Sequence, residues 1–477
     1  MENETQFSNF DFFDIFTSVL KHDTDKINLL NDVLTTLKEV LDRNNVQERS
    51  LEWDEIGAKL INGKVILPDT FENVLRELVV DNQLALLFLP EDMGGYGFTN
   101  LFAGPIIDLI SQYDFSLRIA SMSGIGISNL LLKYYKEPFD NALQGFADGS
   151  RIGYVAFTEP QAGSNLKNIK STSELDGDEY ILNGTKIYIS NGGYGNTGLF
   201  LCNNLVNGKV EGTNVFLVEG NENITTLRLE KKSGIRVNPT AQLLFDNVRV
   251  PKENLIGEIG QGYNKVLERL QGMRIAVAFQ SSGATKRVYQ LAKNYAETRE
   301  QFGKTIGSFN DVSRKLDSIK SQISRLEYYA YLSAYALDIS NYNLPTDNLN
   351  LSKVPVNLTN IVNQSVPAGI DHNLTPYFVS NAKLYCSETC NSLMYDACQI
   401  FGGLGFISET EVNKIARDSR VLSIYDGTSE IHHWIINRSQ KIIESIDKFV
   451  NPYNFIPNQT VYDKMLELKF PGIFNKI

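Results

Sequence analysis

The spacing of apolar residues changes twice along the chain, and this constrains the fold more than any other feature. From about residue 10 to 145 they recur every three to four positions, as in Ile27, Leu30, Val33, Leu34, Leu37 and Val40, a stripe along one helix face. The pattern breaks at Leu89-Pro90-Glu91-Asp92-Met93-Gly94-Gly95-Tyr96-Gly97, where Pro and paired Gly dictate loop. From about 151 to 250 the apolar runs shorten, to 153–157, 180–182, 185–189, 199–202, 214–218 and 242–245. Asp-Gly, Asn-Gly and Gly-Gly pairs between them predict antiparallel strands of a small sandwich or barrel. Amphipathic helical patterns return at 263–298, 308–340, 375–400 and 409–447, and predict a four-helix bundle.

The expected class is therefore α+β: an N-terminal all-α domain at 1–150, a middle antiparallel β domain at 151–262 and a C-terminal bundle at 263–450. Within the bundle, 341–373 is rich in Asn, Pro, Ser and Thr and reads as an inserted surface loop, and 451–477 forms a tail. With 45 Lys+Arg against 56 Asp+Glu, the net charge of −11 repels phosphate backbones, and no basic stripe offsets it. Nucleic-acid binding is excluded on that ground, while a charged small ligand can still use a local basic pocket. No uninterrupted apolar run approaches the ~20 residues of a membrane span. The first ten residues carry Glu2 and Glu4 and no Lys or Arg, unlike a targeting segment, so a cytoplasmic address is expected.

Four cysteines in 477 residues do not make a disulfide framework. Cys386, Cys390 and Cys398 read as buried thiols, with no His to complete a metal set. His432 and His433 are neighbours that point about 100° apart on a helix, so no metal site is expected. Phosphate-cradling signatures are missing: there is no Gly-x-x-x-x-Gly-Lys-Ser/Thr, and no Gly-x-Gly-x-x-Gly between a strand and a helix. No Gly-x-Ser-x-Gly elbow occurs either, which argues against a Ser-His hydrolase.

Four segments stand out. They are Phe157-Thr158-Glu159-Pro160-Gln161-Ala162-Gly163-Ser164-Asn165, Arg299-Glu300-Gln301-Phe302-Gly303, Gln399-Ile400-Phe401-Gly402-Gly403-Leu404-Gly405 and Tyr425-Asp426-Gly427-Thr428. With Gly184-Thr185-Lys186-Ile187-Tyr188-Ile189-Ser190-Asn191-Gly192 and Val248-Arg249-Val250-Pro251-Lys252-Glu253-Asn254, they resemble the acyl-CoA dehydrogenase family of flavoproteins, in order from about 25 to 445.

The resemblance implies the same three-part architecture, with FAD held between the β domain and the bundle without a Rossmann fold. By position, Phe157, Thr158, Gly163, Ser164, Tyr188 and Ser190 correspond to contacts around the flavin ring and ribityl chain, and Thr428 and Glu430 continue the flavin-facing turn. The family assembles as a homodimer or homotetramer, in which a second subunit supplies Arg299, Gln301, Phe302, Gln399, Gly402 and Gly403 to the pyrophosphate and adenine end. Asn310 stands where a Gln commonly contacts the adenine end. Ser164, Arg274 and Arg438 match positions that contact CoA, and Gly427 lies beside the thioester. Segment 115–130 falls where the family lines its acyl pocket; Ser123 and Gly124 there fit either room for a chain or helix packing.

The position matching the family's catalytic base is Asp426, where Asp replaces the usual Glu and retracts the carboxylate by one methylene. A shift of about 1 Å at a reacting centre can cost on the order of 10²-fold. Some branches place Asp here, and others carry the base at the position of Met273, which cannot serve. The implied activity is α,β-desaturation of an acyl-CoA thioester, with hydride transfer to FAD and onward transfer to an electron-transfer flavoprotein. The alternatives are a flavin oxidase, a desaturase acting on an acyl-carrier-protein thioester, or a catalytically silent FAD-binding homologue.

Overall fold

A computed structural model describes residues 24–220, 222–342 and 371–450. Most of the 341–373 insert and all of the 451–477 tail lie outside them. Helices α1 (Thr24–Arg43), α2 (Val46–Ile56), α3 (Asp69–Arg76), α4 (Asn100–Tyr113), α5 (Phe115–Lys133) and α6 (Asp140–Ala147) build the N-terminal part. The stripe on α1 buries Leu30, Leu37, Val40 and Leu41. The all-helical reading of this region omits a small hairpin, β1 (Lys59–Ile61) with β2 (Lys64–Ile66). Its turn is Asn62-Gly63, both at positive φ (50° and 75°), as a tight two-residue hairpin requires. Asp114 caps α5 by accepting from Leu117 N at 2.7 Å. Among the described helices α5 alone has the length and apolarity to cross a membrane, and most of it is buried inside the fold.

Strands β3 (Gly153–Ala156), β4 (Thr172–Asp176), β5 (Glu179–Ser190), β6 (Thr197–Val206), β7 (Lys209–Glu219), β8 (Ile224–Leu229) and β9 (Thr240–Pro251) form one curled sheet in the order β3-β6-β4-β5-β9-β8, with β7 also on β6. The expectation of purely antiparallel pairing is corrected here, because β3 and β4 both run parallel to β6. Strand β3 pairs with Thr197–Phe200 and β4 with Asn203–Leu205, so the two lie end to end along one side of β6. Between them the chain leaves the sheet at 157–171, and the Thr158–Asn165 motif occupies that excursion. The two runs expected at 180–182 and 185–189 are one strand, β5, with register shifts at Leu182/Gly184 and Lys186/Ile189.

Helices α7 (Gly262–Thr298), α8 (Asn310–Tyr342), α9 (Asp371–Phe401) and α11 (Ser429–Val450) make the bundle, and short α10 (Glu411–Ser419) precedes α11. The expected 409–447 stretch is thus two helices. Asp426 (φ 54°) and Gly427 (φ 106°) break it, since neither angle fits an α-helix. Helix α7 joins the layers: a Cβ on Gly104 of α4 would come within 2.3 Å of the Phe279 ring, so the two helices touch backbone to ring. Between α7 and α8, hairpin β10 (Glu300–Gln301) and β11 (Lys304–Thr305) closes one end of the bundle.

Candidate active site

The turn between α10 and α11 is held by hydrogen bonds to two helices. Arg274 of α7 donates Nε to the Asp426 carbonyl at 3.2 Å, and Lys383 of α9 donates Nζ to the Gly427 carbonyl at 2.7 Å. The Tyr425 hydroxyl donates to Gln280 Oε1 at 2.5 Å. A Cβ on Gly427 would stand 3.0 Å from Nε2 of His432, which is fully buried, so this turn needs glycine for both angle and space. Asp426 takes the left-handed conformation that Asp tolerates better than most residues, and its side chain is half-buried.

Burial is the largest influence on the Asp426 carboxyl and raises its pKa, against the pull of Arg269, Lys383, Arg118 and Arg274. The same burial lowers Arg269 and Arg274 to about 10 and Lys383 to about 8, with Asp426 pulling each back up. His432 is pushed down to about 2 by burial, then by Arg274 and Lys383, and is a neutral imidazole at physiological pH. The result is one carboxylate, desolvated and strengthened as a base, amid four cations from three helices. The sequence reading lacked Arg118, Arg269 and Lys383. A cation inside the otherwise apolar 115–130 segment was the available signal for Arg118.

The β-domain residues form a group around the 157–171 excursion. The Ile187 N–H donates to the Thr158 carbonyl at 2.9 Å and ties the motif loop to β5. Phe157 is buried, Thr158 half-buried, and Gly163, Ser164 and Ser190 exposed. Tyr188 sits at the β5 irregularity with φ 59° and its side chain 61% exposed, an aromatic face left open beside Thr158. Where β3 and β4 leave β6 unpaired, Lys186 fills the gap. Its Nζ donates to Leu201 O (2.6 Å), Phe157 O (3.1 Å) and Glu159 Oε1 (2.7 Å), with both side chains buried.

Arg299, Gln301, Phe302, Asn310, Gln399, Gly402 and Gly403 are all exposed. Tyr295 stacks on Phe401 at 4.4 Å and brings the ends of α7 and α9 together, so the 299–302 and 399–403 motifs share one end of the bundle. Phe302 at the hairpin tip is 94% exposed, and a Cβ on Gly402 or Gly403 would meet nothing within 4 Å. Arg299 lies just past the end of α7, 25 residues beyond Arg274 and roughly 37 Å along the helix axis. This group is therefore remote from its own chain's Asp426. Gly427 and Thr428 are half-buried in the turn and Glu430 is exposed on the first turn of α11. Arg438 is exposed, 5.5 Å over the Trp434 ring.

Ser123 and Gly124 serve packing. A Cβ on Gly124 would meet the Phe146 ring at 2.6 Å, and Ser123 Oγ donates to Ala120 O and accepts from Asn191 Nδ2. The small residue that faces the site is Gly126, whose built Cβ stands 3.2 Å from both Arg269 Nη2 and Met273 Sδ.

Residues 155–248 match the model of the acyl-CoA dehydrogenase middle domain, and 260–361 with 356–441 match that of the C-terminal domain. The chain belongs to the acyl-CoA dehydrogenase family. It is 31% identical over 378 residues to a probable acyl-CoA dehydrogenase of Bacillus subtilis (strain 168), covering 77% of this chain and 60% of that protein. It is 29% identical over 357 residues to the very long-chain specific mitochondrial enzyme of Bos taurus, covering 72% and 50%. The chain thus spans about half to three-fifths of the length of these two relatives. Butyryl-CoA dehydrogenase from Megasphaera elsdenii shares the fold, with TM-score 0.72 and 24% identity over 86% of this chain and 98% of that one. The helical parts flanking a curled sheet are the architecture of that family.

Proposed function

We propose that this chain is an FAD-dependent dehydrogenase that desaturates an acyl-CoA thioester between its α and β carbons, with Asp426 as the base. The observation that carries this reading is the desolvated Asp426 carboxylate, fixed on a turn gripped by Arg274 and Lys383, in a chain of this family. Asp426 takes the proton from the α carbon, made acidic by the thioester carbonyl beside it. Donors fixed by Lys383 and Arg274 keep the turn's backbone still, so the carboxylate is aimed before substrate arrives. Ser164, Arg274 and Arg438 contribute to holding the CoA portion, and Gly427 lies beside the thioester.

The residues present suit FAD: Tyr188 and Phe302 are open aromatic faces, and Gly163, Gly402 and Gly403 leave room for close backbone approach. Phe157, Thr158, Gly163, Ser164, Tyr188, Ser190, Thr428 and Glu430 would hold its flavin half. When bound, it supplies a two-electron acceptor for the hydride leaving the β carbon. The separation of Arg299 from Arg274 along α7 supports a homodimer or homotetramer in which Arg299, Gln301, Phe302, Asn310, Gln399, Gly402 and Gly403 serve the neighbouring subunit's cofactor. An electron-transfer flavoprotein is the fitting acceptor, and acyl-chain oxidation the fitting metabolism.

The test is an anaerobic titration with a panel of acyl-CoA thioesters, following loss of the flavin's visible absorption. Bleaching by one class supports the reading, and no bleaching by any thioester overturns it. Asp426→Asn should retain FAD and lower the rate of bleaching by about 10²-fold or more; a loss under about tenfold removes Asp426 as base.

A further inference from the structure

Three inward-facing lysines elsewhere in this fold touch carboxylates, and a fourth, Lys232, donates to Asn238 O and Thr240 Oγ1. Lys186 contacts Glu159, Lys286 contacts Asp108 and Glu327, and Lys414 contacts Asp114 and Asp418. Arg118 and Arg269 differ. Arg118 is 5% exposed, and neither guanidinium forms a hydrogen bond or ion pair among the described residues, with both Nε atoms buried and unpartnered. Asp426 is the carboxylate whose field reaches them, and it is shared with Arg274 and Lys383. Burying cations without partners is costly, so an arrangement of four around one carboxylate is built for a further negative charge.

The position of that charge follows from the chemistry. Resting on the reading of Asp426 as base, the α carbon lies against Asp426, so groups beside it meet the acyl chain. The CoA phosphates lie the length of the pantetheine arm away. On α5, Arg118 and Gly126 are two turns apart on one stripe, and Gly126 abuts Arg269 across the gap to α7. We infer that the acyl group carries a carboxylate at its far end, received by Arg118 with the help of Arg269, and that the substrates are mono-CoA thioesters of dicarboxylic acids. An arginine fork is the side chain suited to a carboxylate in a dry site. The incoming carboxylate also offsets the cations that restrain Asp426, so the correct substrate strengthens its own base.

The test compares ω-carboxyacyl-CoA and plain acyl-CoA thioesters of equal carbon number on the FAD-loaded protein, by rate of flavin bleaching. The carboxylated series is expected to lead by tenfold or more in kcat/KM. Arg118→Gln and Arg269→Gln, each checked for retained flavin and fold, should cut the carboxylated series by roughly tenfold to a hundredfold and bring the ratio toward one. Should plain chains bleach the flavin as fast or faster, the carboxylate site is overturned while the dehydrogenase reading stands. Equal losses for both series in the variants would assign the arginines to CoA and overturn it as well. Bleaching by no thioester sinks the dehydrogenase reading and this inference with it.

Discussion

Lys186→Met isolates what holds the Phe157–Glu159 loop. Lys186 is fully buried and satisfies three acceptors, two of them the carbonyls of Phe157 and Leu201 that the break between β3 and β4 leaves without strand partners. Glu159 also accepts from Lys170 N at 2.6 Å, Ser171 N at 3.1 Å and Gln161 Nε2 at 2.5 Å, so it keeps some support when Lys186 is gone. Breaking a buried pair from one side costs about 3–5 kcal/mol. The remaining donors to Glu159 place this case toward the lower end, and each orphaned carbonyl adds about 1 kcal/mol or more. The pH dependence should weaken. In the parent, burial raises Glu159, but Lys186 and the hydrogen bonds outweigh it and its folded pKa lies below the ordinary 4.5. That stability is present above 4.5 and is lost as pH falls through the lower folded value. In Lys186→Met only the Lys170, Ser171 and Gln161 donors are left to oppose the burial that raises Glu159, so the stability lost on acidification should shrink. The assay is the urea midpoint by circular dichroism across pH 4 to about 8, with flavin retention measured beside it. A midpoint loss equivalent to under about 1 kcal/mol, or an unchanged pH dependence, would refute the view that Lys186 substitutes for missing strand pairing.

Gly427→Ala should cost about 1–3 kcal/mol and slow flavin bleaching, because φ is 106° and the new Cβ meets His432 Nε2 at 3.0 Å; unchanged thermal unfolding and kinetics would count against the turn's rigidity. Phe302→Ala, at a side chain 94% exposed, should leave stability within about 0.5 kcal/mol while lowering the flavin-to-protein ratio. An unchanged ratio removes Phe302 from the cofactor site. Asp338 is fully buried where it accepts from Asn100 N and Leu101 N, and burial raises it from 3.8 to about 6. Its folded pKa exceeds the unfolded one, so its contribution is greatest below 3.8 and declines as pH rises to about 6. Asp338→Asn should flatten that decline in urea midpoints, and an unaltered slope would show that Asp338 does not set it.

What was legible in the sequence was whatever depends on near neighbours along the chain. The shift from helical to strand spacing near 151 and back near 263 marked the central sheet, since burial of one face imposes its period on any element. The Asp426-Gly427 turn was legible as a motif, yet the amphipathic pattern at 409–447 ran across it, because apolar spacing does not register two residues at positive φ. Strands β4 and β8 escaped notice for a related reason: their largely exposed burial patterns leave no apolar run to read. The environment of Asp426 was illegible in a deeper sense. Arg118, Arg269 and Lys383 lie on α5, α7 and α9, and only Arg118 stands out locally, as a cation in an apolar stretch. Only tertiary packing brings their charges to one carboxylate, and only then does the absence of partners on two guanidinium groups become visible. On the proposed reading, the residue matched to the base marks the reacting carbon, and the cations assembled around it by packing select the acyl group.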